Sequence, residues 1–185
     1  MFISHHLEDT SQKFFYQYHY LVSMDKDDIE QQQPLTEGML APDFTSLDSD
    51  GHCFKLSDFR KKKNVVVYFY PKDFTPGCTT EATEFTKDYN KIKEANIEII
   101  GVSPDSDESH RKFRQKLNIP YLLSADSQNE ISRKYGVYGR KSFMGRDYMG
   151  VNRSTFLIDI NGKINKIFSK VKPAGHSQEV IDSFR

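Results

Sequence analysis

The chain has no excess charge of either sign: 26 basic and 26 acidic side chains cancel across 185 residues. That removes the footprint of a nucleic-acid-binding protein, which needs a basic face or stripe. No apolar run approaches the ~20 residues that a membrane-crossing helix requires, so no membrane association is expected. There are only two cysteines, Cys53 and Cys78, too few for a disulfide framework. This reads as a soluble, cytoplasmic protein of a reducing compartment. The histidines are scattered and no thiol lies near Cys78 in sequence, so no metal site and no cofactor are expected.

What is present divides into an extension and a body. Residues 1–36 form the extension and residues 37–185 a single domain, long enough to bury a core. Met1 to Gln33 carries six acidic and two basic side chains and ends in Glu30-Gln31-Gln32-Gln33. It lacks the apolar stretch of a secretory signal and the arginines of a mitochondrial presequence. The expectation is a mobile or loosely docked segment, with Met24 a candidate alternative start. Its aromatic stretch, Phe14 to Tyr20, offers the second reading of a contact with the body or a partner.

Through the body, strand and helix patterns alternate. Phe44–Leu47 and Cys53–Leu56 flank a turn composition and predict a hairpin. Asn64–Tyr70 is an apolar run that predicts a buried strand. Ala82, Phe85, Tyr89 and Ile92 recur at helical spacing within Thr79–Asn96. Ile97–Val102 is the next strand, Ser103–Ser106 opens a helix running through Leu117, and Tyr121–Leu123 is a short strand. Asn129–Tyr135 predicts a short helix. Ser154–Ile160 and Lys163–Ser169 make a hairpin around Asn161-Gly162, and Ser177–Phe184 closes as a helix.

One stretch carries chemistry: Pro71-Lys72-Asp73-Phe74-Thr75-Pro76-Gly77-Cys78. A strand runs into it, a Pro/Gly turn redirects the chain, and a helix follows. A free thiol has a pKa of about 8.5. The unpaired N–H groups and positive dipole end of a helix's first turn can bring a thiol to roughly 3.5–7.5. Cys78 is therefore expected to be a nucleophilic thiolate rather than a buried structural cysteine.

Pro71-x-x-x-Thr75-x-x-Cys78, followed by Thr79-Thr80-Glu81-Ala82, resembles the active-site segment of the peroxiredoxins, most closely the bacterioferritin comigratory protein/peroxiredoxin Q group. Ala41-Pro42-Asp43-Phe44 and Leu56-Ser57-Asp58-Phe59-Arg60 are similar to that family's opening hairpin. Gly150-Val151-Asn152-Arg153-Ser154-Thr155-Phe156 is similar to its arginine strand. The resemblance runs from about Glu37 to the C-terminus. With the element order, it implies an α/β, thioredoxin-like fold: a central mixed β-sheet flanked by helices, with an N-terminal β-hairpin.

The resemblance also implies roles. Cys78 attacks a peroxide O–O bond, giving a sulfenic acid. Thr75, whose hydroxyl can accept from peroxide and donate to sulfur, and Arg153, which holds thiolate and peroxide together, complete the catalytic set. Pro71 and Gly77 shape the loop, and Glu81 orients Arg153. Lys72, Arg140 and Arg146 read as surface charge. Many relatives carry a resolving cysteine five residues after the first; here that position is Thr83. Cys53 reads as a small residue of a half-buried strand rather than a resolver, with an intermolecular or Cys53-linked disulfide as the second reading. The expected cycle is one-cysteine, completed by thioredoxin or glutathione/glutaredoxin in a monomer or weak dimer. A disulfide reductase would need Cys-x-x-Cys, and Glu81 stands at that second position. A non-enzymatic redox sensor or holdase using Cys78 is the alternative.

Overall fold

Val65 to Tyr70 is buried on both faces, and this sets the architecture. Val65, Val67 and Phe69 join one cluster with Phe44, Leu56, Ile131 and Tyr135. Val66, Tyr68 and Tyr70 join another with Phe85, Ile92, Phe113 and Val180. A strand that buries both faces belongs in the interior of a sheet covered on both sides. The structure is a computed structural model describing residues 34–48 and 50–184. The expectations for residues 1–33 lie outside the described residues.

The described chain begins beside the sheet. Leu35 packs on the Phe44 cluster, and Gly38 N–H donates to the Ile164 carbonyl at 2.7 Å. Strands β1 (Thr45–Leu47) and β2 (Cys53–Lys55) form a two-stranded hairpin. Asp48 closes it by accepting from the Asp50 and His52 amides, both at 2.9 Å. A single 3-10 turn, Leu56–Phe59, follows. The main sheet contains β3 (Asn64–Phe69), β4 (Ile97–Ser103) and β5 (Leu122–Ala125), all parallel.

A second hairpin, β6 (Tyr138–Phe143) and β7 (Arg146–Val151), stands outside that sheet. Strands β8 (Ser154–Ile158) and β9 (Ile164–Phe168) return antiparallel, giving the order β5-β4-β3-β8-β9. Helices α1 (Pro76–Glu94), α2 (Asp107–Leu117), α3 (Glu130–Lys134) and α4 (His176–Asp182) fill the connections and the end of the chain. This is the expected thioredoxin-like arrangement: a mixed sheet, flanking helices and an N-terminal hairpin. No helix among the described residues is long and apolar enough to cross a membrane.

Packing explains the local choices. Ala82, Phe85 and Ile92 of α1 are fully buried against β3, each large side chain contributing about 1.5–3 kcal/mol of transfer free energy. Gly101 of β4 is required by its neighbours: a Cβ there would come within 2.7 Å of the Tyr68 ring and 2.8 Å of Leu123. The buried Tyr68 hydroxyl is satisfied by Tyr121 at 3.0 Å.

One expectation is corrected and one element is new. Helix α1 begins at Pro76, three residues before the anticipated Thr79, because proline at the first helical position needs no amide partner and has its φ preset. The β6–β7 hairpin was not anticipated.

Candidate active site

β3 delivers the chain to the edge of the sheet, and α1 departs from there. Between them lies Tyr70–Thr75. Thr75 is the N-cap of α1 with extended backbone, yet its side chain makes no capping bond. Its hydroxyl donates back to the Lys72 carbonyl at 3.0 Å. The single hydroxyl proton is thus committed to Lys72, which corrects the expectation that it donates to sulfur. The oxygen's lone pairs remain available as acceptors.

The first intrahelical bond runs from Thr79 N–H to the Thr75 carbonyl at 2.9 Å. The amides of Gly77 and Cys78 precede that ladder, as first-turn amides do. Cys78 is the third residue of α1 and only 1% exposed. The dipole end of the helix therefore acts on a thiol almost removed from water.

Arg153 reaches the same point from the other side of β3. Phe69 pairs with Ser154 in the β3–β8 register, which puts Arg153 beside the end of β3. Its Nη2 donates to Cys78 Sγ at 3.1 Å. Its Nη1 donates to Glu81 Oε2, one helical turn after Cys78. Gly77 leaves room for this: a Cβ there would meet Arg153 Nη2 at 3.4 Å and Pro173 at 3.5 Å.

The electrostatics follow from burial. Glu81 is fully buried, its Oε1 has no hydrogen-bond partner, and burial pushes its carboxyl up to about 7 against the pull of Arg153. Burial opposes the Arg153 charge, but Glu81 and Cys78 outweigh it and hold the guanidinium more firmly protonated than usual. The site thus contains a locked cation on a buried thiol.

Cys78, Thr75, Gly77, Glu81 and Arg153 converge here, and half-buried Pro71 opens the loop. Lys72 and Arg146 are exposed, and Arg140 is paired with Asp147 at 3.0 Å on the surface. Cys53 is exposed and lies on the outer face of β2, a strand whose other face carries Phe54 onto the core.

Two features were missed. Lys141 of β6 donates to the Val151 carbonyl at 3.0 Å. Burial lowers its pKa, with Arg153 adding to the effect and Cys78 opposing it. Phe74, immediately before Thr75, has φ of 61°, a conformation that costs a bulky residue on the order of 1–3 kcal/mol. Neither leaves a mark in the sequence beyond the density of charge around Lys141.

A thioredoxin-like sheet with a buried cysteine at a helix start, held by arginine, defines a thiol-redox protein. The AhpC/TSA family model matches residues 38–167. The peroxiredoxin Bcp of Bacillus subtilis is 45% identical over 148 residues, covering 80% of this chain and 94% of that protein. A mutant of Xylella fastidiosa peroxiredoxin Q superposes with a TM-score of 0.76 at 32% identity, covering 82% of this chain and 96% of that one. The Xanthomonas campestris bacterioferritin comigratory protein, described as having alkyl peroxide reduction activity, has a TM-score of 0.72 at 34% identity, over 76% and 89% of the two chains. The chain belongs to the AhpC/TSA family and, within it, to the Bcp/peroxiredoxin Q group of thiol-dependent peroxidases.

Proposed function

We propose that the chain reduces hydrogen peroxide and small alkyl hydroperoxides through a one-cysteine cycle, needing no metal or cofactor. The observation that carries this is the 3.1 Å contact of Arg153 Nη2 with Cys78 Sγ, in a site where Cys78 is 1% exposed. A guanidinium on sulfur favours the anion, and a near-closed site suits a small peroxide.

The Cys78 thiolate attacks one peroxide oxygen. An S–O bond forms with the sulfur electron pair as the O–O bond breaks, and the departing alkoxide or hydroxide takes up a proton. The product is Cys78–SOH and an alcohol or water. Thr75 accepts the hydrogen of the incoming hydroperoxide, holding it in line. Arg153 and the Gly77 and Cys78 amides donate to charge developing on the two oxygens. Glu81 fixes the guanidinium so that this reorganisation costs little.

An external thiol then displaces water from the sulfenic acid, and a second thiol releases Cys78 from the mixed disulfide. Thioredoxin or glutathione/glutaredoxin, both at home in the cytoplasm, would supply those thiols. The protein acts as a monomer or weak dimer in this reading. The alkyl peroxide activity attributed to the Xanthomonas campestris relative supports organic hydroperoxides as substrates.

Peroxide consumption with dithiothreitol tests the reading. Wild-type turnover should vanish in Cys78→Ser; equal rates in both proteins would overturn it.

A further inference from the structure

Behind the catalytic loop lies a buried polar cluster that the peroxide chemistry does not use. Asp73 sits between Lys72, whose carbonyl holds the Thr75 hydroxyl, and the left-handed Phe74. Its side chain is 1% exposed, as is that of His110 on α2. Asp73 Oδ1 accepts from the Tyr70 hydroxyl at 2.8 Å. Oδ2 accepts from Ser109 at 2.7 Å and from His110 Nδ1 at 2.9 Å. The Asp73 amide donates to Asp105 Oδ2 at 2.8 Å. One residue of the loop is therefore pinned at both its backbone and its side chain.

We propose that Asp73 and His110 form a positioning pair for peroxide attack: by clamping the loop onto α2 they hold the Phe74 turn, and through the Lys72 carbonyl they aim the Thr75 hydroxyl. The physical reason is over-determination. A bulky residue stays at positive φ only where its neighbours leave no alternative. On one side of Phe74 that constraint is the helix cap at Thr75. On the other it is Asp73, and the 2.9 Å bond to His110 ties Asp73 to α2 across 37 residues of sequence. The Phe74 ring reinforces the clamp by meeting Phe113 of α2 edge-on, with centroids 5.1 Å apart.

The pair touches neither peroxide nor sulfur. Its effect should appear in peroxide attack, which needs Thr75 in place, and not in reactions that need only the thiolate. Small misplacements are costly in such alignments, up to about 10²-fold for 1 Å. This inference rests on the peroxidase reading, and the test separates the two: loss of that reading shows in wild-type turnover, loss of this one only in the variants.

The experiment compares His110→Leu, His110→Asn and Ser109→Ala in the full chain. Two rates are measured: sulfenic acid formation with hydrogen peroxide, and Cys78 alkylation by iodoacetamide against pH. Asparagine keeps a donor near the Nδ1 position; leucine does not. His110→Leu should slow peroxide attack roughly tenfold to a hundredfold, His110→Asn should recover most of that loss, and Ser109→Ala should slow attack by a few-fold. The alkylation midpoint should stay at the wild-type pH throughout. Amide exchange at Asp73–Thr75 should quicken in step with the loss. Wild-type peroxide rates in His110→Leu, or His110→Asn as slow as leucine, would overturn the proposal. So would an alkylation midpoint that shifts together with the rate. Should His110→Leu not fold, an unchanged peroxide rate in Ser109→Ala overturns it and a slowed one supports it.

Discussion

Arg153 divides its guanidinium between two residues of one helical turn: Nη2 lies 3.1 Å from Cys78 Sγ while Nη1 holds Glu81. A fork of fixed donors makes this possible, and lysine has no equivalent. The sulfur gains a cation that cannot swing away, and the buried carboxylate gains its only hydrogen-bonded counter-charge among the described residues.

Arg153→Met should therefore weaken both thiolate formation and peroxide attack. A charge-assisted hydrogen bond contributes about 1.5–3 kcal/mol, and each 1.36 kcal/mol is tenfold in rate. The peroxide rate constant should fall by about 10- to 10²-fold, and the iodoacetamide alkylation midpoint should move to higher pH. An unmoved alkylation curve would show that the arginine contact does not govern the sulfur's charge.

Glu81 predicts a pH signature in stability. Burial raises its carboxyl from 4.5 to about 7. Between those values the folded protein keeps a proton that the unfolded chain has released. Folded stability from this group is therefore highest below about pH 4.5, declines as pH rises towards 7, and levels off above it. Melting temperatures of wild type and Glu81→Gln, taken from about pH 5 to about pH 8, should show a difference that shifts against wild type as pH rises. A difference that is constant, or that shifts in wild type's favour, contradicts the assignment.

Thr75 separates attack from ionisation. Its proton is committed to the Lys72 carbonyl, so its contribution to peroxide is as an acceptor. Thr75→Val keeps the shape and loses the acceptor; Thr75→Ser keeps both functions. Valine should cost about tenfold in peroxide attack, serine much less, and neither should move the alkylation midpoint. Comparable losses for serine and valine would mean the methyl group matters and the hydroxyl does not.

The sequence is legible where one local signal suffices. Asn64–Tyr70 reads as a buried strand from its apolar, β-branched run, and Pro76-Gly77-Cys78 marked a turn into a helix. Even there the helix began earlier, because Pro76 serves as its first residue rather than as the end of the turn. The β6–β7 hairpin was hidden for physical reasons. Arg146–Met149 is exposed on every side chain, so no apolar alternation appears. Its turn places Met144 and Gly145 both at positive φ, a job that Asn-Gly would have advertised. Lys141 was lost with that hairpin. The Asp73–His110 bond joins a loop to a distant helix, and no periodicity in either segment signals it.

Cys53 is the remaining thiol, and its place argues against pairing with Cys78 of the same chain. The hairpin that carries it packs through Phe44 and Phe54, on the cluster that receives Val65, Val67 and Phe69 of β3. Cys78 belongs to the cluster on the opposite face, with Val66, Tyr68 and Tyr70. A disulfide needs Cα atoms about 4.4–6.8 Å apart, and here the central sheet stands between the two residues. Thr83 offers no substitute, since its hydroxyl has no sulfur with which to form a disulfide. Cys53→Ser should therefore keep wild-type peroxide turnover with dithiothreitol. Non-reducing mass spectrometry after one equivalent of peroxide should find a single added oxygen on the Cys78 peptide. A Cys53–Cys78 linked peptide from monomeric protein would show that the body opens far enough to resolve itself, and the one-cysteine cycle would fall.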